Sequence, residues 1–244
     1  AFNKMRPEFH PRARLFFAAL EERILLLDGA MGTMLQGVDL TLDDFAGLEG
    51  CNEILVLTRP DVVLRIHRAY LQAGADIIET NTFGGTQVVL GEYGLQDRVE
   101  EINLAAARLA RQAAEEFSTP CKPRFVGGSI GPTTKSLSVT GGIRFEELRE
   151  AYYCQAAALA AGGVDLFLVE TCQDTRNAKA ALLALDALFA DLGYRLPVIV
   201  SCTIEPSGTM LAGQTADAFW ISIAHAEPAA VGLNCATGPD LMRD

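Results

Sequence analysis

The sequence predicts an α/β fold built on a parallel sheet: a (β/α)8 TIM-type barrel of which about six βα units are present. Three observations point there. Six apolar runs recur along the chain, each hydrophobic on both faces, as in strands buried between layers. Helical patterns fall between the runs, and strand alternating with helix implies a parallel sheet with right-handed crossovers. The runs end in polar residues, namely Asp28, Glu79, Ser129, Glu170, Cys202 and the pair Asn234-Cys235. In a barrel the C-terminal rim of the strands is where chemistry is done, so these polar ends favour a closed barrel over an open doubly wound sheet.

The expected strands are 24–28, 76–80, 124–128, 165–170, 197–202 and 230–235. Thr58 and Asp61 have capping-box spacing ahead of a stripe of Val63, Ile66 and Tyr70, and Gly74 supplies a stop. Asp97 is placed to cap a helix facing inward with Ile102, Ala106, Leu109 and Ala113. Phe145, Leu148 and Tyr152 mark the next, which stops at Gly162-Gly163. Asp174 starts a helix with Ala178, Leu182, Leu185 and Phe189 on one face, and Thr215 starts one through Phe219 and Ile223. Residues 1–23 read as an N-terminal helical extension that plugs the barrel's bottom, and 24–244 as the barrel itself.

The chain has 244 residues, 50% of them hydrophobic and 7% aromatic, which suits one large aliphatic core. A net charge of −11 repels phosphate backbones, so no nucleic-acid partner is expected. No apolar run approaches the roughly 20 residues that span a bilayer. Glu21, Glu22 and Arg23 interrupt the apolar start, which argues against a secretory signal. The six Cys form no C-x-x-C pair, and reduced thiols in a cytoplasmic protein are expected. At about 40 residues per unit, eight units need about 320 residues. Six strands alone leave two apolar edges unpaired, so at least two further units are expected in the natural protein.

Several chemistries find no support. No G-x-G-x-x-G follows a strand, the Gly-Lys-Ser spacing near Lys135 fails as a phosphate loop, and no G-x-S-x-G elbow occurs. His10, His67 and His225 are far apart, and surface or capping roles are expected for each. Cys172, Cys202 and Cys235 end consecutive strands, one βα unit apart. Three thiols on one rim suit a soft metal such as zinc, while small buried thiols are equally compatible with that spacing. Asp28, Glu79 and Glu170 are costly in a barrel mouth unless partnered, and Asp28 and Glu170 suit the ammonium of an amino acid.

Several motifs occur in order. They are Leu27-Asp28-Gly29-Ala30-Met31-Gly32-Thr33, Asn52-Glu53 with Thr58-Arg59-Pro60-Asp61, and Gly74-Ala75-Asp76-Ile77-Ile78-Glu79-Thr80-Asn81-Thr82-Phe83-Gly84. Ser129-Ile130-Gly131-Pro132-Thr133, Glu170-Thr171, Gly213-Gln214-Thr215 and Gly232-Leu233-Asn234-Cys235-Ala236 follow. From residue 24 onward the chain resembles the homocysteine-binding barrel of cobalamin-dependent methionine synthases, within the wider homocysteine S-methyltransferase family. The resemblance implies a zinc ion held by three thiolates, of which Cys235 is one and an adjacent Cys-Cys pair supplies two. No such pair occurs in these 244 residues. It implies structural roles for Cys172 and Cys202. It places the homocysteine ammonium between Asp28 and Glu170, the carboxylate at the backbone amides of Gly29 and Ala30, and Asn234 behind the metal ligand. The sulfur would attack the methyl group of methylcobalamin, carried with methyltetrahydrofolate by cobalamin-binding and folate-binding modules of the same polypeptide. A methyltransferase using S-methylmethionine or betaine, and a non-catalytic homocysteine-binding fragment, are the alternative readings.

Overall fold

The computed structural model describes residues 6–242, so residues 1–5 of the expected extension and 243–244 of the expected barrel lie outside the described residues. The first helices are α1 (Pro11–Glu22), α2 (Met31–Gln36), α3 (Leu55–Thr58) and α4 (Pro60–Ala73). There follow β1 (Ile77–Glu79), α5 (Gln87–Leu90), α6 (Val99–Phe117), β2 (Phe125–Ile130), α7 (Phe145–Ala161) and β3 (Leu166–Cys172). The last are α8 (Thr175–Leu192), β4 (Val198–Cys202), α9 (Ala216–Ile223), β5 (Ala230–Leu233) and α10 (Pro239–Met242). The five strands form one parallel sheet in sequence order, with helices between successive strands.

The first expected strand does not join this ladder. Residues 24–28 meet β1 at a single bridge between Leu27 and Ile77, and the Asp28 N–H donates to Ile77 O at 2.9 Å. The Leu26 carbonyl accepts from both Asp76 N and Ile77 N, so regular ladder spacing is lost. Ile24, Leu26 and Leu27 are exposed along this edge, as are Val231 and Leu233 in β5.

Both faces of the sheet are apolar because side chains alternate along each strand. Ile78, Val126, Phe167 and Val169 point to the helix layer, where they meet Leu148, Leu159 and Leu185. Ile77, Phe125, Leu166 and Leu168 point the other way and pack against Phe16 and Ala19 of α1. Phe16 stacks edge-on to Phe125, with ring centroids 5.5 Å apart. Helix α1 therefore lies against the face of the sheet that a closed barrel turns inward.

Ion pairs lock α1 and the helix layer to the strand starts. Asp165, just ahead of β3, accepts from Arg12 Nε and Arg111 Nη2 at 2.5 Å each and from the Val126 N–H at 2.8 Å. Asp76, just ahead of β1, accepts from Arg23 Nη1 at 2.7 Å and the Leu26 N–H at 3.0 Å.

Most helix boundaries follow their caps. Gly74 ends α4 with a left-handed φ of 116°, a conformation that favours glycine. Asp174 and Thr215 cap α8 and α9 as expected. Two expected caps do not form. Thr58 ends α3, bonding back to Ile54 O, while Arg59 precedes α4 and Pro60 occupies its first turn. Arg98, not Asp97, precedes α6, because a 3₁₀ turn over Gln96–Arg98 delivers the chain directly into the helix. Among the described residues, no helix is long and apolar enough to cross a membrane.

Replacing Asp165 with Ala leaves Arg111, only 15% exposed in its side chain, without its buried partner. A loss of roughly 3 kcal/mol or more is expected from such an uncompensated charge. Urea unfolding checks this, and an unchanged midpoint would show the clamp to be dispensable.

Candidate functional site

Three carboxylates converge at the C-terminal mouth of the sheet. Asp28 Oδ2 accepts the Glu79 N–H at 3.1 Å, while its Oδ1 is buried without a partner among the described residues. Burial raises the Asp28 pKa to about 7, and the nearby charge of Glu170 adds to the rise. Burial pushes Glu79 well above the usual carboxylate range, with Glu170 and Asp28 adding repulsion. Glu79 and Glu170 lie side by side, so each is affected by the other's charge. Burial also raises Glu170, though less, because Ser129 and Asn234 donate to it.

Serine 129 is itself anchored. Its N–H donates to Thr80 Oγ1 at 3.0 Å, and its carbonyl accepts from Thr82 Oγ1 at 2.8 Å. Its hydroxyl then reaches Glu170 Oε1 at 2.6 Å. Beside Asp28, Gly29 sits under the Tyr70 ring, where a Cβ would come within 2.9 Å of the hydroxyl. That hydroxyl donates to Ala30 O at 3.3 Å, holding the chain ahead of α2.

The far side of the mouth is built by β3 and β5. Between Val169 and Cys172 the register with β4 slips by one residue, which is a β-bulge. The bulge lets two successive residues, Glu170 and Thr171, both address the mouth. Asn234 Nδ2 donates to Glu170 Oε2 at 3.3 Å and to Thr171 Oγ1 at 2.8 Å. Its Oδ1 accepts from the Thr171 N–H at 3.0 Å and from Ser201 Oγ at 2.8 Å. Cys235 is exposed, with Sγ 3.6 Å from both Thr171 Oγ1 and Asn234 Nδ2.

The sequence-expected site residues Asp28, Glu170, Asn234 and Cys235 thus share one mouth, with Gly29 and Ala30 at its edge. Thr171 and Ser201 were not expected there. Strict alternation sends Thr171 to the opposite face from Glu170, and the bulge leaves no signal in residue type. Cys172 and Cys202 are buried. Burial raises the Cys202 thiol to about 11, and Cys172 higher still, so both stay protonated. His67 departs from the surface or capping role expected of it. It is fully buried in α4, neither ring nitrogen has a partner among the described residues, and burial lowers its pKa to about 4. His10 does cap α1, through Nδ1 and the Arg12 N–H.

Cys235 has the chemistry of a metal donor: a soft thiol, accessible on the rim. Among the described residues, no group of three or more His, Cys, Asp or Glu side chains is arranged to hold a metal. A zinc site takes at least three protein donors, so Cys235 fits as one member of a set, not as a site by itself.

A family model described as homocysteine S-methyltransferase matches residues 25–244. The chain belongs to the homocysteine S-methyltransferase family. It is 47% identical over 228 residues to a methionine synthase of Mycobacterium leprae, covering 92% of this chain but 19% of that protein. Its fold is similar to that of the homocysteine methyltransferase MmuM of Escherichia coli. The oxidized form gives a TM-score of 0.76 at 24% identity, covering 93% of this chain and 77% of the other. The metallated form gives 0.74 at 23% identity, covering 89% and 77%.

The carboxylates set a pH dependence. Asp28 has a folded pKa of about 7 against an ordinary 3.8, so between these values the folded protein binds more protons than the unfolded chain. Stability therefore falls as pH rises from about 4 to about 7. Glu79 and Glu170 shift in the same direction and deepen the fall. Asp28→Asn should show a smaller fall across that window, read from urea midpoints. A pH profile identical to wild type would show Asp28 to be an ordinary carboxylate.

Proposed function

We propose that this chain is the homocysteine-binding part of a zinc-dependent methyltransferase of the cobalamin-dependent methionine synthase kind. The observation carrying the reading is the pairing of a rim thiol with a carboxylate cluster through one amide. Asn234 touches Glu170 on one side and Cys235 on the other. Homocysteine carries an ammonium and a thiol, and the mouth offers acids for the first and a metal-donor sulfur beside them for the second. The 47% identity to a methionine synthase supports the cobalamin-dependent form over other methyl donors.

In this reading Cys235 is one of three thiolate donors, and the other two come from outside the described residues. Bound zinc supplies the lowered thiol pKa that keeps the substrate sulfur a thiolate near neutral pH, the state able to accept a methyl group from methylcobalamin. The chain's own residues bind and orient. Asp28 and Glu170 hold the ammonium, and the Gly29 and Ala30 amides meet the carboxylate. Glu79, whose pKa burial and the two neighbouring acids raise, lies beside them. Ser129 and Asn234 fix the Glu170 oxygens.

The domain reading is also a proposal. Residues 6–23 form a helical extension beneath the barrel, and further βα units close the barrel between β5 and residues 24–28. The exposed apolar side chains on both edges support this, since such edges invite pairing. Methylcobalamin and methyltetrahydrofolate are carried by other modules of the same polypeptide.

Two outcomes are expected in the intact protein. Glu170→Ala weakens homocysteine by about 2 kcal/mol, the scale of a charge-assisted hydrogen bond, but leaves mercaptoethanol, which lacks the ammonium, nearly unchanged. Calorimetric titration measures both, and equal losses would remove the ammonium assignment. Cys235→Ser should sharply reduce bound zinc by elemental analysis. Full zinc retention would end the ligand assignment.

A further inference from the structure

We propose that Thr171 is a positioning residue for Cys235: its hydroxyl fixes the sulfur's direction. The inference rests on the reading of Cys235 as the working thiol. Three features of the structure converge on it.

The first is backbone conformation. Among the described residues, five non-glycine residues have left-handed φ, and three of them meet here: Thr171 at 55°, Cys235 at 61° and Ala236 at 52°. For a β-branched residue such as threonine this conformation is a genuine outlier, and it persists only where the surroundings impose it. The second is the β3 bulge, which turns Thr171 toward the mouth instead of the helix layer.

The third is the hydrogen-bond order around Asn234. The Thr171 N–H can only donate, and it donates to Asn234 Oδ1 at 3.0 Å. That contact orients the amide, so Nδ2 faces Thr171 Oγ1 and donates to it at 2.8 Å. The threonine oxygen is thereby an acceptor from Asn234, and its own proton is left to point at Cys235 Sγ, 3.6 Å away. Threonine and asparagine thus grip each other twice, and the one remaining donor of the pair's hydroxyl goes to sulfur. A metal ligand oriented in this way presents its lone pair in one direction, and loss of such partners costs metal affinity.

The test uses the intact protein depleted of zinc. Thr171→Val keeps the branched shape and removes the hydroxyl, while Thr171→Ser keeps the hydroxyl. By competition with a chromophoric chelator, T171V should bind zinc about 10-fold more weakly and T171S about as tightly as wild type. In a Cys235→Ser background, T171V should add no further loss, because the two residues act as one unit. A crystal structure of zinc-free T171V should show Cys235 Sγ displaced, and one of T171S should show it in place. T171V matching wild type in zinc affinity, or Cys235 Sγ unmoved in its crystal structure, would overturn the proposal. A wild-type protein that binds no zinc would sink the functional reading instead, and the crystal structures would still decide the role of Thr171.

Discussion

The desolvation of like charges at one end of the sheet constrains everything else in this protein. Asp28, Glu79 and Glu170 arrive from three different segments and share a mouth where burial raises the pKa of each. Such a cluster stands only if protons, donors or a cationic ligand offset its repulsion. The surroundings show how this is met. Ser129 and Asn234 donate to Glu170, and the Glu79 amide donates to Asp28. One oxygen of Asp28 is left without a partner among the described residues, so the cluster's demand for a donor is not fully met by the chain itself.

The scaffold answers to that constraint at a distance. Ser129 reaches Glu170 because Thr80 and Thr82 pin its backbone from the neighbouring strand end. The opposite end of the sheet is held by charge in the reverse sense. Asp165 and Asp76 are each matched by arginines from α1, α6 or the segment after α1. Acids with partners anchor the bottom, and acids short of partners wait at the top. The same residue type is thus ion-paired at one end and short of partners at the other, the end where barrel architecture places chemistry.

The bulge in β3 links the acids to the thiol. Without it, Glu170 and Thr171 would face opposite sides of the sheet. With it, Asn234 can bond both at once and lie against Cys235. The acids and the rim thiol are thereby joined in one connected hydrogen-bond network, so a shift at either end is felt at the other. His67 shows that burial of a titratable group need not mean chemistry. Neither ring nitrogen has a hydrogen-bond partner among the described residues, and burial lowers the pKa to about 4, so it is an uncharged filler of the α4 core.

Much was legible in the residues alone. Two-sided apolar runs, with helices between them, determined the parallel α/β sheet, and polar residues at the run ends marked the end of the sheet where the carboxylates and the rim thiol gather. Asp28, Glu170, Asn234 and Cys235 could be read because each ends a run, and Asp174, Thr215 and Gly74 because caps act over a few bonds. Tertiary structure alone decided which contacts cross the sheet. Residues 24–28 read as a strand, yet a carbonyl shared by two donors leaves them a single bridge. Thr171 carries no mark in its identity, since a one-residue slip against β4 turned it to the mouth. His67 sits inside rather than outside because helix packing, not its own polarity, chose its environment. Local chemistry is written in residue types and their spacing, whereas register, burial and hydrogen-bond partners depend on neighbours that only the folded chain brings within reach.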